Sequence, residues 1–208
     1  QYDLQTSFEL GKFFPKTSGL SIPFFFSYGT TLIRPWYNPL NPDTRLQKEI
    51  NETTNPERTE QISKAADDYT MRRSFNLTNV RKNRSNAVQR KAMPWDIENF
   101  SATYSFTETF RRNQTMAFSS LRNYRGMLAY NYSFNNKPFE PLKNLKSPYL
   151  TILKDFNLNY LPASWGFRVE GDRRYGELMN RINDTRTEEL PIMFDKLFTM
   201  RRYYEFSY

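Results

Sequence analysis

The chain has 208 residues and a net charge of +8, and it contains neither cysteine nor histidine. Those two absences exclude disulfides, thiolate or imidazole metal sites and the Ser-His-Asp and Cys-His nucleophile pairs, so an enzyme would have to work through carboxylates alone. Aromatic residues make up 17% of the chain against 38% for all hydrophobic ones, so the apolar material is concentrated in large rings, which suit sheet surfaces.

The first predicted element covers residues 1–10, where Tyr2, Leu4, Thr6, Phe8 and Leu10 alternate with Asp3, Gln5, Ser7 and Glu9. Period two is the mark of a strand with one apolar and one polar face. The stretch LSIPFFFSYG from Leu20 continues the pattern, with Leu20, Ile22, Phe24, Phe26 and Tyr28 on one parity and Phe25 alone breaking the polar one. Pro23 cannot donate to a ladder, so it predicts a strand start, a bulge or a locally unpaired edge. The link from 32 to 68 holds two Asn-Pro-acid openings, NPDTRLQKEI and NPERTEQISKAADD. Each offers an N-cap, a proline for the first helical position and an acid for the positive end of the dipole, predicting two short helices in a loop insertion.

Alternation returns at 69–79, and again where Phe100, Ala102, Tyr104, Phe106 and Phe110 oppose Ser101, Thr103, Ser105, Thr107 and Thr109. It runs from Met116 to Phe134 with Ser120, Arg122 and Gly126 as exceptions, then through 156–160, 165–172 and 198–208, for about eight strands. Short links at 111–114 and 162–164 predict tight antiparallel hairpins on one side of the sheet. The basic pairs Arg72-Arg73, Arg111-Arg112, Arg173-Arg174 and Arg201-Arg202, with the basic stretch Arg81 to Lys91, are spread too evenly to form one patch. No apolar run approaches the roughly 20 residues of a transmembrane helix. The alternation runs to both ends without a signal-peptide pattern, and the chain is expected to be an internal fragment.

Two folds would accommodate the ring-bearing face. A soluble sandwich hides it between two sheets, which would make the chain a basic all-β binding module. An outer-membrane β-barrel turns it to lipid, with aromatic girdles at both interfaces. The density of Ser, Thr, Asn, Arg and Glu on the polar parity, tryptophans near strand ends and strands longer than the usual five or six residues favour the second. The expected fold is all-β, an antiparallel transmembrane β-barrel segment with short helices in loop insertions. Lumen-facing candidates are Ser101, Thr103, Ser105, Thr107, Asn157, Asn159, Arg168, Glu170 and Asp172. Lipid-facing or girdle candidates are Phe24, Phe26, Tyr28, Trp36, Trp95, Tyr104, Phe106, Tyr130, Tyr132, Trp165, Phe167, Tyr204 and Phe206. Rings and charges sit mostly on opposite parities, so one face cannot offer base stacking together with phosphate contacts, and no nucleic acid partner is expected. Glu188 and Glu189 lie in a loop-like stretch; no catalytic, cofactor or metal residues are expected.

Three stretches carry a family resemblance: Phe13 to Asp43 (FFPKTSGLSIPFFFSYGTTLIRPWYNPLNPD), Tyr130 to Arg181, and the ending FTMRRYYEFSY. They resemble the SprA/Sov family, the outer-membrane translocon of the type 9 secretion system in Bacteroidetes, which serves secretion and gliding motility. The resemblance implies that residues 1–208 are part of one very large single-chain barrel that exports folded cargo from periplasm to cell surface. It implies as partners the rest of the same barrel, outer-membrane lipid and a PorV-like lipid-embedded shuttle protein at a lateral opening. A periplasmic plug protein and secreted cargo bearing a C-terminal signal complete the set. On this view a local edge at Pro23 is one place for the lateral opening.

Overall fold

Long stretches of strict alternation become long strands. The computed structural model describes residues 1–84, 92–135, 139, 162–181 and 190–207. In chain order these form β1 (Tyr2–Glu9), β2 (Leu20–Ser21), β3 (Pro23–Ile33), β4 (Tyr37–Asn38), β5 (Asn41–Arg45), α1 (Leu46–Glu52), α2 (Pro56–Ala66), β6 (Asp68–Lys82), β7 (Phe100–Arg112), β8 (Met116–Ser133), β9 (Ser164–Asn180) and β10 (Met193–Ser207). One antiparallel sheet holds the order β1-β3-β6-β7-β8-β9-β10, with β2 added beside β6; β4 and β5 pair separately. Among the described residues β1 and β10 are its two edges.

The sheet has a helix end, where β3 runs into the insertion and β7 turns into β8, and a far end, where β8 finishes and β9 begins. The hairpin predicted at 111–114 is present: Asn113 Oδ1 accepts from the amides of Thr115 at 3.0 Å and Met116 at 2.8 Å and so shapes the turn. The hairpin predicted at 162–164 is not on the same side. β8 pairs directly with β9 from Met116↔Asn180 to Ser133↔Ser164, which puts Ser164 at the far end, away from Asn113. No strand intervenes between them, and the strand expected at 156–160 lies outside the described residues. Parity counts strands but does not say which of them pair. β9 and β10 also run longer than alternation suggests, because Arg173, Glu177 and Lys196 interrupt the apolar parity without interrupting the backbone ladder.

Pro23 opens β3, and the ladder to β6 shifts between Ser21↔Arg81 and Phe24↔Leu77. Asn79 takes up the extra length at φ 52°, in the left-handed region that asparagine tolerates, and its amide donates to Thr103 Oγ1 at 3.0 Å. Pro23 therefore marks a strand start beside a bulge. The third alternative, an open strand edge, is not what it marks: β3 lies between β1 and β6, Pro23 is opposite Glu9, and only the β6 ladder is locally unpaired at Ile22 and Pro23.

Both helices form inside the insertion, and only the second starts as its signature predicts. Asn55 caps α2 by accepting from the Glu57 amide at 2.9 Å, with Pro56 at the first helical position. The earlier Asn-Pro-acid triplet lies in β5, and α1 begins at Leu46 with Arg45 as its N-cap. Asn38 explains the shift: its Oδ1 accepts from the Leu40 amide and its Nδ2 donates to Glu49 at 2.6 Å, which closes the β4–β5 turn and holds α1 against it. Arg34 clamps the base of the insertion through a two-bond pair to Asp67, at 2.9 and 2.8 Å, and the Asp67 carboxylate, only 3% exposed, raises the Arg34 pKa above its ordinary value. At the other side of α2, Arg181 donates to the Lys64 carbonyl at 3.0 Å.

Apolar burial is confined to a few places: Leu46, Ala66 and Ala129 are the buried hydrophobic residues among those described. The helices pack on each other, α1 packs on the β4–β5 hairpin, and no second layer covers the main sheet among the described residues. No described helix is long and apolar enough to cross a membrane, which bears on helices alone.

Replacing Arg34 with alanine leaves the Asp67 carboxylate buried without its guanidinium, at a cost of about 1–3 kcal/mol. The expected outcome is faster limited proteolysis within residues 34–67 with unchanged protection of β7 to β9; uniform loss of protection, or none, would contradict a local clamp.

Candidate functional site

Paired residues across a sheet share a face, so the registers convert parity into two continuous surfaces. One runs Thr6, Phe26, Phe75, Phe106, Tyr124, Arg173, Phe198 across seven neighbouring strands, and the parallel row nearer the far end runs Phe8, Phe24, Leu77, Tyr104, Gly126, Gly171, Met200. Rings meet across the strands: Phe75 and Phe106 lie 5.1 Å apart, Phe106 and Tyr124 5.0 Å. Of the predicted apolar-face residues, Phe24, Phe26, Tyr28, Tyr104, Phe106, Tyr130, Tyr132, Trp165, Phe167, Tyr204 and Phe206 all share this surface.

At the far end the rings close into a belt. Phe100 and Tyr130 are 5.0 Å apart, Tyr130 meets Trp165 edge-on at 5.8 Å, Trp165 stacks with Phe206 at 6.2 Å, and Phe167 and Tyr204 lie 5.2 Å apart. The Tyr130 hydroxyl donates to the Pro94 carbonyl at 2.8 Å and so anchors the turn that carries Trp95. Trp95 and Trp36 lie outside the strands, at the far end and at the helix end respectively, and are 75% and 83% exposed. Pairs of this kind contribute roughly 0.5–1.5 kcal/mol each beyond their area.

The opposite surface carries Ser101, Thr103, Ser105 and Thr107 on β7 and Arg168, Glu170 and Asp172 on β9. Asp172 binds Arg125 from β8 and Arg201 from β10, the latter at 2.7 Å, while Glu170 lies 3.3 Å from Arg168 and 3.6 Å from Arg201. Ser105 donates to Asn76 at 2.6 Å. Phe25 stands on this surface between Ser7 and Asn76, a half-buried ring among polar neighbours. Asn157 and Asn159 lie outside the described residues.

Sequence parity missed a charged row on the aromatic surface. The register Tyr28↔Arg73↔Glu108↔Arg122↔Tyr175↔Lys196 crosses six strands near the helix end. Glu108 is 4% exposed and accepts from Arg73 Nε and, at 2.9 Å, from Arg122 Nε. Tyr175 lies under both Arg122 and Lys196, at 6.0 and 5.6 Å, and its hydroxyl donates to Glu177 at 2.7 Å. Each of Arg73, Glu108 and Arg122 breaks the apolar parity of its own strand. The signal was the complementary charge of three exceptions at compatible depths, visible only once the register is known. Arg202 is a further exposed cation on this surface, opposite Val169 on the edge strand β10.

A family of motility related/secretion proteins, SprA_N, matches residues 1–50. The N-terminal segment of the chain is similar to that family. The match covers β1 to β5 and the start of α1, including Pro23, the three consecutive phenylalanines and Trp36, and it overlaps the first of the three stretches that carry the SprA/Sov resemblance. No curated protein matches the chain. At its coarser level the assignment is thus a motility- or secretion-related protein built around an antiparallel sheet with two short helices.

Glu108→Gln leaves two guanidiniums side by side on the aromatic surface. Because both arginines are half-exposed, the expected loss is about 1–3 kcal/mol, below that of a fully buried pair. Thr107→Ala, the adjacent residue on the other surface, should change stability by no more than about 0.5 kcal/mol. Urea midpoints of the two variants in one detergent system check this; equal midpoints would deny Glu108 its bridging role.

Proposed function

We propose that this chain is a non-catalytic wall segment of an outer-membrane barrel, with rings toward lipid and the Ser/Thr/charged surface toward an aqueous lumen. The supporting observation is a ring-bearing surface continuous from β1 to β10 with no protein layer over it among the described residues. Its height fits. Ten residues of β8 separate Tyr132 in the far-end belt from Arg122 in the charged row. At about 3.3 Å per residue and a tilt of about 40° that spans about 25 Å, the height of an outer-membrane apolar band. A soluble binding module would have to cover the same surface with a second sheet.

The similarity of residues 1–50 to motility related/secretion proteins supports a motility or secretion role for this barrel. The reading we favour within that class is the protein-conducting translocon of type 9 secretion in Bacteroidetes, passing folded cargo with a C-terminal signal through the lumen. The edges at β1 and β10 then pair with the rest of the same barrel, and a PorV-like shuttle protein and a periplasmic plug protein gate it. Arg202 sets a condition on this reading. A guanidinium within the apolar band costs up to about 2–4 kcal/mol at mid-depth, so the strand that pairs with β10 has to offer it an acceptor.

These 208 residues contain no cysteine, so a cysteine introduced here is read against the parent protein labelled in parallel. In intact outer membranes of a strain expressing the full-length protein, cysteines at Tyr104 and Phe167 should resist a charged maleimide, and a fluorophore there should be quenched by lipid-borne nitroxide. Cysteines at Thr103 and Thr107 should show the reverse. Water accessibility at all four positions would refute the barrel wall.

A further inference from the structure

We propose that the charged row at the helix end of the aromatic surface docks the phosphate of an anionic membrane lipid; this inference rests on the membrane reading above. Around Glu108, the cations Arg73, Arg122, Arg173 and Lys196 gather on that surface near the carboxylates Glu108 and Glu177, with Arg112 farther toward the helix end over the Tyr69 ring. The two carboxylates are already engaged, Glu108 by two arginines and Glu177 by the Tyr175 hydroxyl. Among the described residues neither Arg173 nor Lys196 has an ion pair, and both are exposed.

The geometry of the engaged arginines points outward. Both give Glu108 their Nε, and the hydrogen bonds among the described residues use none of their Nη groups. Glu108 thus holds two guanidiniums in fixed positions and leaves a fork of N–H donors on each, the arrangement that recognises phosphate. Lys196 is steadied over the Tyr175 and Phe194 rings, at 5.6 and 5.2 Å, with its ammonium free.

Depth selects a lipid over an acidic protein segment. The row stands one apolar-band height from the far-end belt, at the level of headgroups, and toward the far end it borders directly on Phe26, Phe75, Phe106 and Tyr124. A ligand with a phosphate and acyl chains matches both neighbours at once: anion against the cations, chains along the rings. An acidic peptide satisfies the first and leaves the rings bare. Basic groups near a bilayer surface each strengthen anionic-lipid binding about fivefold.

The test uses the full-length protein carrying this chain, reconstituted into nanodiscs of phosphatidylcholine with and without phosphatidylglycerol, with bound lipid read by native mass spectrometry after release. Wild type should retain phosphatidylglycerol over phosphatidylcholine, and Arg173→Gln with Lys196→Gln should weaken that preference roughly thirtyfold. Arg168→Gln with Arg174→Gln, on the opposite surface, should not change it. Equal retention by wild type and the first double variant overturns the docking site and leaves the membrane reading intact, whereas failure to enter nanodiscs at all overturns both. Recovery of a protein bound through Arg173 and Lys196, in place of lipid, also overturns it.

Discussion

Everything in this structure follows from one constraint: a single sheet layer that carries rings along one whole face must set that face against something apolar. Burying a phenylalanine or tyrosine is worth roughly 1.5–3 kcal/mol, and the described strands leave many such residues half-covered or bare, with Phe198 at 68% and Phe206 at 63% exposure. Within the described residues only leucine and alanine positions are buried as hydrophobic core. The sheet is held internally by its ladders and by ring pairs between neighbours, which are local to the layer and leave its outer face unmatched. In the proposed barrel a bilayer would supply the missing apolar phase over the height that these strands provide, which is the physical basis of that proposal.

The same constraint explains how charge is distributed. On the polar surface, acids and bases alternate between strands and pair laterally, as in Arg125–Asp172–Arg201, so long cationic side chains are held without any one of them being deeply buried. On the aromatic surface most of the charge lies near one depth, around Glu108, with Arg202 standing apart from it on the edge strand. A carboxylate among rings is tolerable there because two guanidiniums reach it from both adjacent strands. The insertion of 34–67 is tied down at that same end by Arg34–Asp67 and Arg181–Lys64, so the helices form a cap beyond the charged row and do not cover the rings.

How much was legible in the sequence depends on the range of the interaction concerned. Strand positions and the face of each ring were readable, since the side-chain period of a strand is a property of its own backbone; Tyr104 and Ser105 could be assigned to opposite faces without any partner. The α2 start was readable for the same reason, as Asn55 and Pro56 act within one turn. The α1 start was misread because Asn38, outside the capping triplet, captured Leu40 and Glu49 and drew Asn41 to Arg45 into a hairpin. The role of Pro23 was half-readable: its missing donor announced a break, while the strands on its two flanks were decided by residues far along the chain.

The sequence by itself determined the alternation, the aromatic character of one parity and the local caps, because each arises from contacts within a few residues. Tertiary structure alone decided that β8 pairs with β9, that Pro23 lies inside the sheet, and that Arg73, Glu108 and Arg122 meet. Register is a relation between distant strands, and a shift of one residue would send every side chain of a strand to the other face.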